Sequence, residues 1–118
     1  MIPFDYEKTE EDRTRAGEEL LNPVELSETS LARGKEVYGI FCLSCHGENG
    51  DGQGFLYTSK RYPYPPASLV ADKVKLLPDG EIYHAITVGY GIMGAHGAMI
   101  RQEDRWRVVW YIKETLQQ

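Results

Sequence analysis

Cys42-Leu43-Ser44-Cys45-His46 decides how this 118-residue chain folds. Two thiols three positions apart, followed at once by a histidine, form the attachment pattern of a c-type haem. Each thiol can make a thioether to one vinyl group of a porphyrin, and His46 is then held beneath the iron as an axial ligand. Three other readings of a Cys-x-x-Cys pair fare worse. Structural zinc needs four ligands; Cys42 and Cys45 are the only cysteines, and His84 and His96 stand too far apart to act as a finger-like second pair. A redox dithiol opens a helix within a βαβ pattern, and no such pattern is present. A plain disulfide would not call for the histidine. The motif therefore predicts one covalent haem c, held by Cys42 and Cys45, with His46 on the iron.

The rest of the chain agrees with a small single domain whose modest core a flat apolar cofactor would complete. No run of about 18 apolar residues suggests a membrane span. Haem of this type is attached outside the cytosol, so a periplasmic location is expected, on the outer face of the cytoplasmic membrane. An export signal is expected to have been removed, and a lost lipid anchor would leave no trace. Charge is uneven. Residues 1–28 hold nine acidic against three basic residues, a balance of −6, which leaves +1 for the remainder of a chain of net charge −5. Residues 1–28 thus read as an acidic N-terminal extension and residues 29–118 as the cofactor domain. The extension is either a solvated tail or a strap for a partner subunit, since Pro3, Phe4, Tyr6, Leu20, Leu21 and Pro23 give it apolar contacts. The acidic balance argues against nucleic acid as a partner.

Periodicity predicts an all-α chain. A short helix is expected around 9–20, and a longer one from about Leu31 to Cys42, capped by Ser27 or by Thr29-Ser30, with Leu31, Val37, Tyr38 and Phe41 on one face. It runs directly into the haem motif. Residues 47–66 are loop. Their glycines lack the Lys-Ser/Thr of a P-loop and the closing Glu of an EF-hand, and read as a tight wrap near the cofactor. A turn or helix is expected at 69–76, a helix from about Glu81 to Val88 ended by Gly89, a second Gly-rich loop at 89–99, and a last helix from Gln102 to about Thr115. Trp106, Val109, Trp110, Ile112 and Leu116 form its apolar stripe. His84 reads as a solvated helix residue.

Gly34, Tyr38 and Cys42 lie four apart, as do the glycine, aromatic and first cysteine of class I cytochromes c, which this chain resembles over about residues 29–116. The resemblance implies that fold, with about four to five helices around one haem, and implies that Gly34 lets the first helix of the fold cross the last one closely, opposite Val108 and Tyr111. Asn22-Pro23, Ser30-Leu31-Ala32-Arg33-Gly34-Lys35-Glu36-Val37-Tyr38 and Tyr64-Pro65-Pro66-Ala67-Ser68-Leu69 are further similar to the mono-haem cytochrome c subunit of bacterial alternative complex III. That likeness implies an electron-transfer protein rather than an enzyme. Its redox partners would be a quinol-oxidising complex as donor and a terminal haem–copper oxidase as acceptor, and it would meet the membrane only through a partner or a lipid anchor.

A low-spin carrier needs a sixth ligand, and a methionine sulfur raises the potential. Met93 stands thirteen residues before Trp106, about the distance similar cytochromes keep between the ligand and their Arg-Trp pair. It is preferred over Met99, read as a core methionine, and over His96. Gly94 replaces the proline that usually follows the ligand. By the same resemblance, the carbonyl of Pro65 or Pro66 would orient His46, the competing reading being that the prolines only stiffen the loop. Tyr62, Tyr64, Trp106 and Arg61 are candidates to reach the propionates, and each reads equally as a surface or core residue. Leu43, Ile92 and Ala95 would rim an exposed edge. The competing expectation is a haem peroxidase or gas sensor with an open sixth position, where His96 would do acid–base work.

Overall fold

A computed structural model describes residues 4–118. Met1 and Pro3 of the expected extension lie outside the described residues. Four helices of ten or more residues build the frame: α1 Glu10–Glu19, α2 Glu28–Phe41, α6 Asp79–Val88 and α7 Gln102–Tyr111. Single-turn segments α3 Leu43–His46, α4 Phe55–Thr58 and α5 Asp72–Lys75 lie between α2 and α6, and a π-turn Ile112–Leu116 ends α7. Among the described residues there is no strand, only an isolated bridge between Tyr90 and Met93. The expected all-α class is what forms.

Ser27 is the residue that starts α2. Its hydroxyl accepts from the Ser30 backbone N–H at 3.0 Å, and Ser30 returns the bond to the Ser27 N–H at 2.9 Å. Two of the helix's otherwise orphan donors are thereby satisfied, so α2 begins three residues earlier than its apolar pattern suggests. The chain breaks at Cys42 and resumes as the α3 turn, which carries the rest of the haem motif. Helices α2 and α7 cross through Gly34, Val108 and Tyr111, all buried. The rings of Tyr38 and Tyr111 meet at 5.4 Å across this crossing.

An ion cluster closes the same interface. Asp104, in the first turn of α7, accepts from Arg33 of α2 at 3.0 Å and from Arg107 at 2.7 Å. Burial alone would raise its carboxyl, but the two guanidinium groups outweigh this and hold it below the usual carboxylate value. A depressed folded pKa means stability that is present above the unfolded value and lost as pH falls through the folded one. The Asp104 side chain is 7% exposed while both arginines are partly in water, which discounts the pair. Asp104→Asn is therefore expected to cost about 1–2 kcal/mol at pH 7 in urea unfolding, with the gap to the parent protein closing below about pH 4. An undiminished gap at pH 3 would mean that packing, not charge, is what the substitution removes.

The residues before α2 pack on their own chain. Thr9 caps α1 through the Asp12 N–H at 3.1 Å, and Glu10, Glu11 and Asp12 sit where the helix dipole favours acids. Helix α1 lies against α6 so closely that a Cβ on Gly80 would stand 2.1 Å from the Ala16 carbonyl oxygen. Asn22 then donates to the Trp106 carbonyl at 2.9 Å, and the Trp110 indole N–H donates to Val24 at 2.7 Å. From Phe4 onward the extension is thus neither a loose tail nor an arm held away from the body.

Two sequence expectations fail inside this core. His84 is buried at 2% exposure, and its Nε2 lies 2.7 Å from the Glu7 carbonyl; the extension covers the face that periodicity left to solvent. Met99 is not a core residue: it is 60% exposed, and Ile100 takes the buried place beside it.

Candidate cofactor site

The motif turn is held by its neighbours' backbone. The His46 carbonyl accepts from Gly52 at 2.8 Å and the Cys45 carbonyl from Gly54 at 3.0 Å, while the buried Tyr38 hydroxyl donates to Gly47 at 2.6 Å. The Gly-rich stretch 47–54 thus wraps the backbone of the cysteine–histidine turn. Cys42 is buried and Cys45 half-buried, and both are free thiols. Burial, with Cys45 nearby, pushes the Cys42 thiol up to about 12.

Beside this turn lies a cavity of about 350 Å³, walled mainly by apolar side chains of α5, the turn after it, α6 and the end of α7, including Val74, Leu77, Ile82, Ala85, Ile86 and Ile112. Cys42, His46 and Met93 line it together. His46 Nδ1 sits 3.0 Å from the Ala67 carbonyl oxygen. A carbonyl can only accept, so the assigned tautomer has its proton on Nδ1 and leaves the lone pair on Nε2. Burial lowers the His46 pKa, the Ala67 bond opposes that, and nearby His96 lowers it further. The result is a neutral, oriented imidazole at the wall of an apolar cavity, with a thioether at the same wall.

These residues fit a haem. The donor set is one imidazole and one thioether, the cavity is large and apolar, and a free thiol borders it. Among the described residues no group of three or more His, Cys, Asp or Glu is placed to hold a metal ion by itself. Cys42, Cys45, His46 and Met93 are the residues that would hold the group, the two thiols covalently and the imidazole and thioether as ligands to its iron.

Several expected site residues stand elsewhere. Pro66 does not orient His46: the acceptor is the carbonyl of Ala67, one residue on. Two prolines in a row fix where the chain turns but not which carbonyl faces the ring, so sequence missed by one position. Trp106 does not reach the cavity. It is buried in the core, stacked on Tyr83 at 3.9 Å and 11°. Tyr64 is exposed with its ring against Tyr62, and neither lines the cavity. Arg61 lies over the Phe55 ring. His96 does not line the cavity either; its ring meets Phe41 edge-on at 6.0 Å.

The loop carrying Met93 is tied down without the usual proline. Tyr90 and Met93 exchange backbone bonds at 3.2 and 2.9 Å, and His96 and Gly97 donate to Ile86 and Thr87 of α6. Arg105 of α7, buried, donates to the Gly97 and Ile100 carbonyls and to the Tyr83 hydroxyl. The sequence offered Arg105 only as half of the Arg-Trp pair, and an arginine in an amphipathic helix otherwise reads as solvent-facing.

Comparison with known proteins agrees with this geometry. Residues 29–112 match the family described as "Cytochrome C oxidase, cbb3-type, subunit III". No curated protein matches the chain. Among solved structures, a reducing HAO-like protein complex from Kuenenia stuttgartiensis shares the fold, with a TM-score of 0.62 and 20% identity over 80% of this chain. The chain spans 48% of that neighbour's length, and the likeness is one of fold alone. The family match takes in all but the first residue of α2, the motif turn, α5, α6, the Met93 loop and all of α7, which carry most of the cavity wall. The chain belongs to that family, and it is a class I c-type cytochrome.

Proposed function

We propose that this protein carries single electrons through one covalent haem c, as a mobile or docked link in a respiratory chain outside the cytosol. The observation that carries the reading is that His46 and Met93 line one apolar cavity. When bound there, the haem supplies a one-electron ferric–ferrous couple. His46, held by Ala67, and Met93, held by its bridge to Tyr90, keep their places in both oxidation states. The apolar walls exclude water, so little reorganisation accompanies transfer.

The finer route runs from a quinol-oxidising alternative complex III to a haem–copper oxygen reductase. The likeness of the Ser30–Tyr38 and Tyr64–Leu69 stretches to that complex's mono-haem subunit supports the donor, and the oxidase in the matched family's name supports the acceptor. Leu43, Ile92 and Ala95 are exposed and offer an apolar rim for a small, weak redox contact. No helix among the described residues is long and apolar enough to cross a membrane; contact with one would come through a partner or a lipid anchor.

The haem-loaded protein is expected to titrate as a single reversible one-electron couple, with an absorption spectrum unchanged by carbon monoxide. A high-spin spectrum that responds to carbon monoxide would overturn the carrier reading in favour of a peroxidase or gas sensor.

A further inference from the structure

The N-terminal helix contributes to the wall of the haem cavity. Arg13 of α1 lines both this cavity and a smaller adjoining pocket of about 200 Å³ that it shares with Lys8, His84 and Tyr90. Its side chain is 17% exposed, and its Nε–H is buried without an acceptor. A buried donor left unmade costs more than the average hydrogen bond gains. The guanidinium lies over the Tyr90 ring at 4.5 Å, which fixes its position. Its ion partner is Glu10 at 3.5 Å, whose side chain is 86% exposed; such a pair is screened by water and leaves the arginine charge largely uncompensated.

A haem is apolar over its ring but bears two carboxylates. An ionised carboxylate in an apolar cavity is costly unless a cation meets it, and a guanidinium does this through parallel N–H groups. The cations on the cavity wall are Arg13 and Lys73, with Glu81 as the one acid. Lys73 is exposed on the four-residue α5, whereas Arg13 is held by the α1–α6 crossing and by Tyr90. We propose that Arg13 pairs with a carboxylate of the cofactor, so that the N-terminal segment, which lies outside the matched residues 29–112, is part of the haem site. Lys8 adds to this by donating to the Gly91 carbonyl at 3.1 Å, which ties the segment to the loop that carries Met93.

The inference rests on the cavity being the haem site, and potentiometry of the haem-loaded full chain separates the two. A fixed cation near the iron favours the ferrous form, which carries one positive charge less. Arg13→Gln is expected to reduce the equilibrium constant for reduction by between about threefold and tenfold, the upper end being 59 mV for one electron. Its visible spectrum should be unchanged, and Arg13→Lys should restore most of the potential. An unchanged potential in Arg13→Gln, even with a lowered melting temperature, would make Arg13 a structural residue and overturn the proposal. So would a shift produced by Lys73→Gln and not by Arg13→Gln. If Arg13→Gln does not fold, a potential in Arg13→Lys that moves with salt as the parent's does supports the pairing, and loss of that salt response overturns it. No redox couple in the parent protein would instead sink the haem reading itself.

Discussion

Gly34→Ala is expected to cost about 3 kcal/mol or more, a large share of the stability of a domain whose total is about 5–15 kcal/mol. A Cβ on Gly34 would stand 2.2 Å from the Arg107 carbonyl oxygen, 2.8 Å from its carbon and 3.0 Å from the Tyr111 Cβ. Two of those three atoms are backbone of α7, so no rotamer change relieves the clash and the helices must separate. Separation strips Tyr38, Val108 and Tyr111 of their packing and pulls Arg33 from Asp104. Intrinsic propensity points the other way, since alanine gains up to about 1 kcal/mol over glycine inside a helix. Gly39 supplies the control: it lies in the same helix, with nothing within 4 Å of its Cβ position. Gly39→Ala is expected to raise stability by about 0.5–1 kcal/mol. Chemical denaturation of both variants should give shifts of opposite sign. Equal effects would mean that the α2–α7 crossing does not depend on the absence of a side chain at position 34.

That glycine was legible through the resemblance to class I cytochromes c, which rests on its local spacing to Tyr38 and Cys42, one helical turn at each step. The haem motif and the Ser27 cap are local too, with partners three or four residues apart. The places where sequence reading failed are contacts between distant segments. His84 looked solvated because α6 was read alone; Glu7, 77 residues away, supplies the carbonyl beside its Nε2. Trp106 looked free to reach the cofactor, but Tyr83 on the crossing helix takes its ring face. Ala67 rather than Pro66 meets His46 because loop register depends on where Leu69 is caught, by its N–H bond to the Gly50 carbonyl at 2.6 Å. Arg13 and Arg105 are both semi-buried or buried through several partners at once, a property no periodicity records.

The sixth ligand is the point where sequence left a choice and the packing narrows it, and it carries the second large effect. Met93→Ala is expected to abolish the weak far-red absorption of a sulfur–ferric iron bond and to lower the reduction potential steeply, because the thioether that favours the ferrous state is gone. Met99→Ala should leave both unchanged. Met93 lines the cavity with His46, on a segment closed by two backbone bonds to Tyr90. Met99 points outward at 60% exposure and does not line the cavity, so to reach the iron it would have to draw Ile100, which is 4% exposed, out of the core. That motion would also break the bonds by which Arg105 holds the Gly97 and Ile100 carbonyls. Bringing Met99 to the iron would therefore break two hydrogen bonds of a buried arginine for a ligand that Met93 supplies without rearrangement. Absorption spectra of the two oxidised variants decide the matter: loss of the band in Met99→Ala, with Met93→Ala intact, would assign the ligand to Met99 and require the 97–100 loop to repack around the haem.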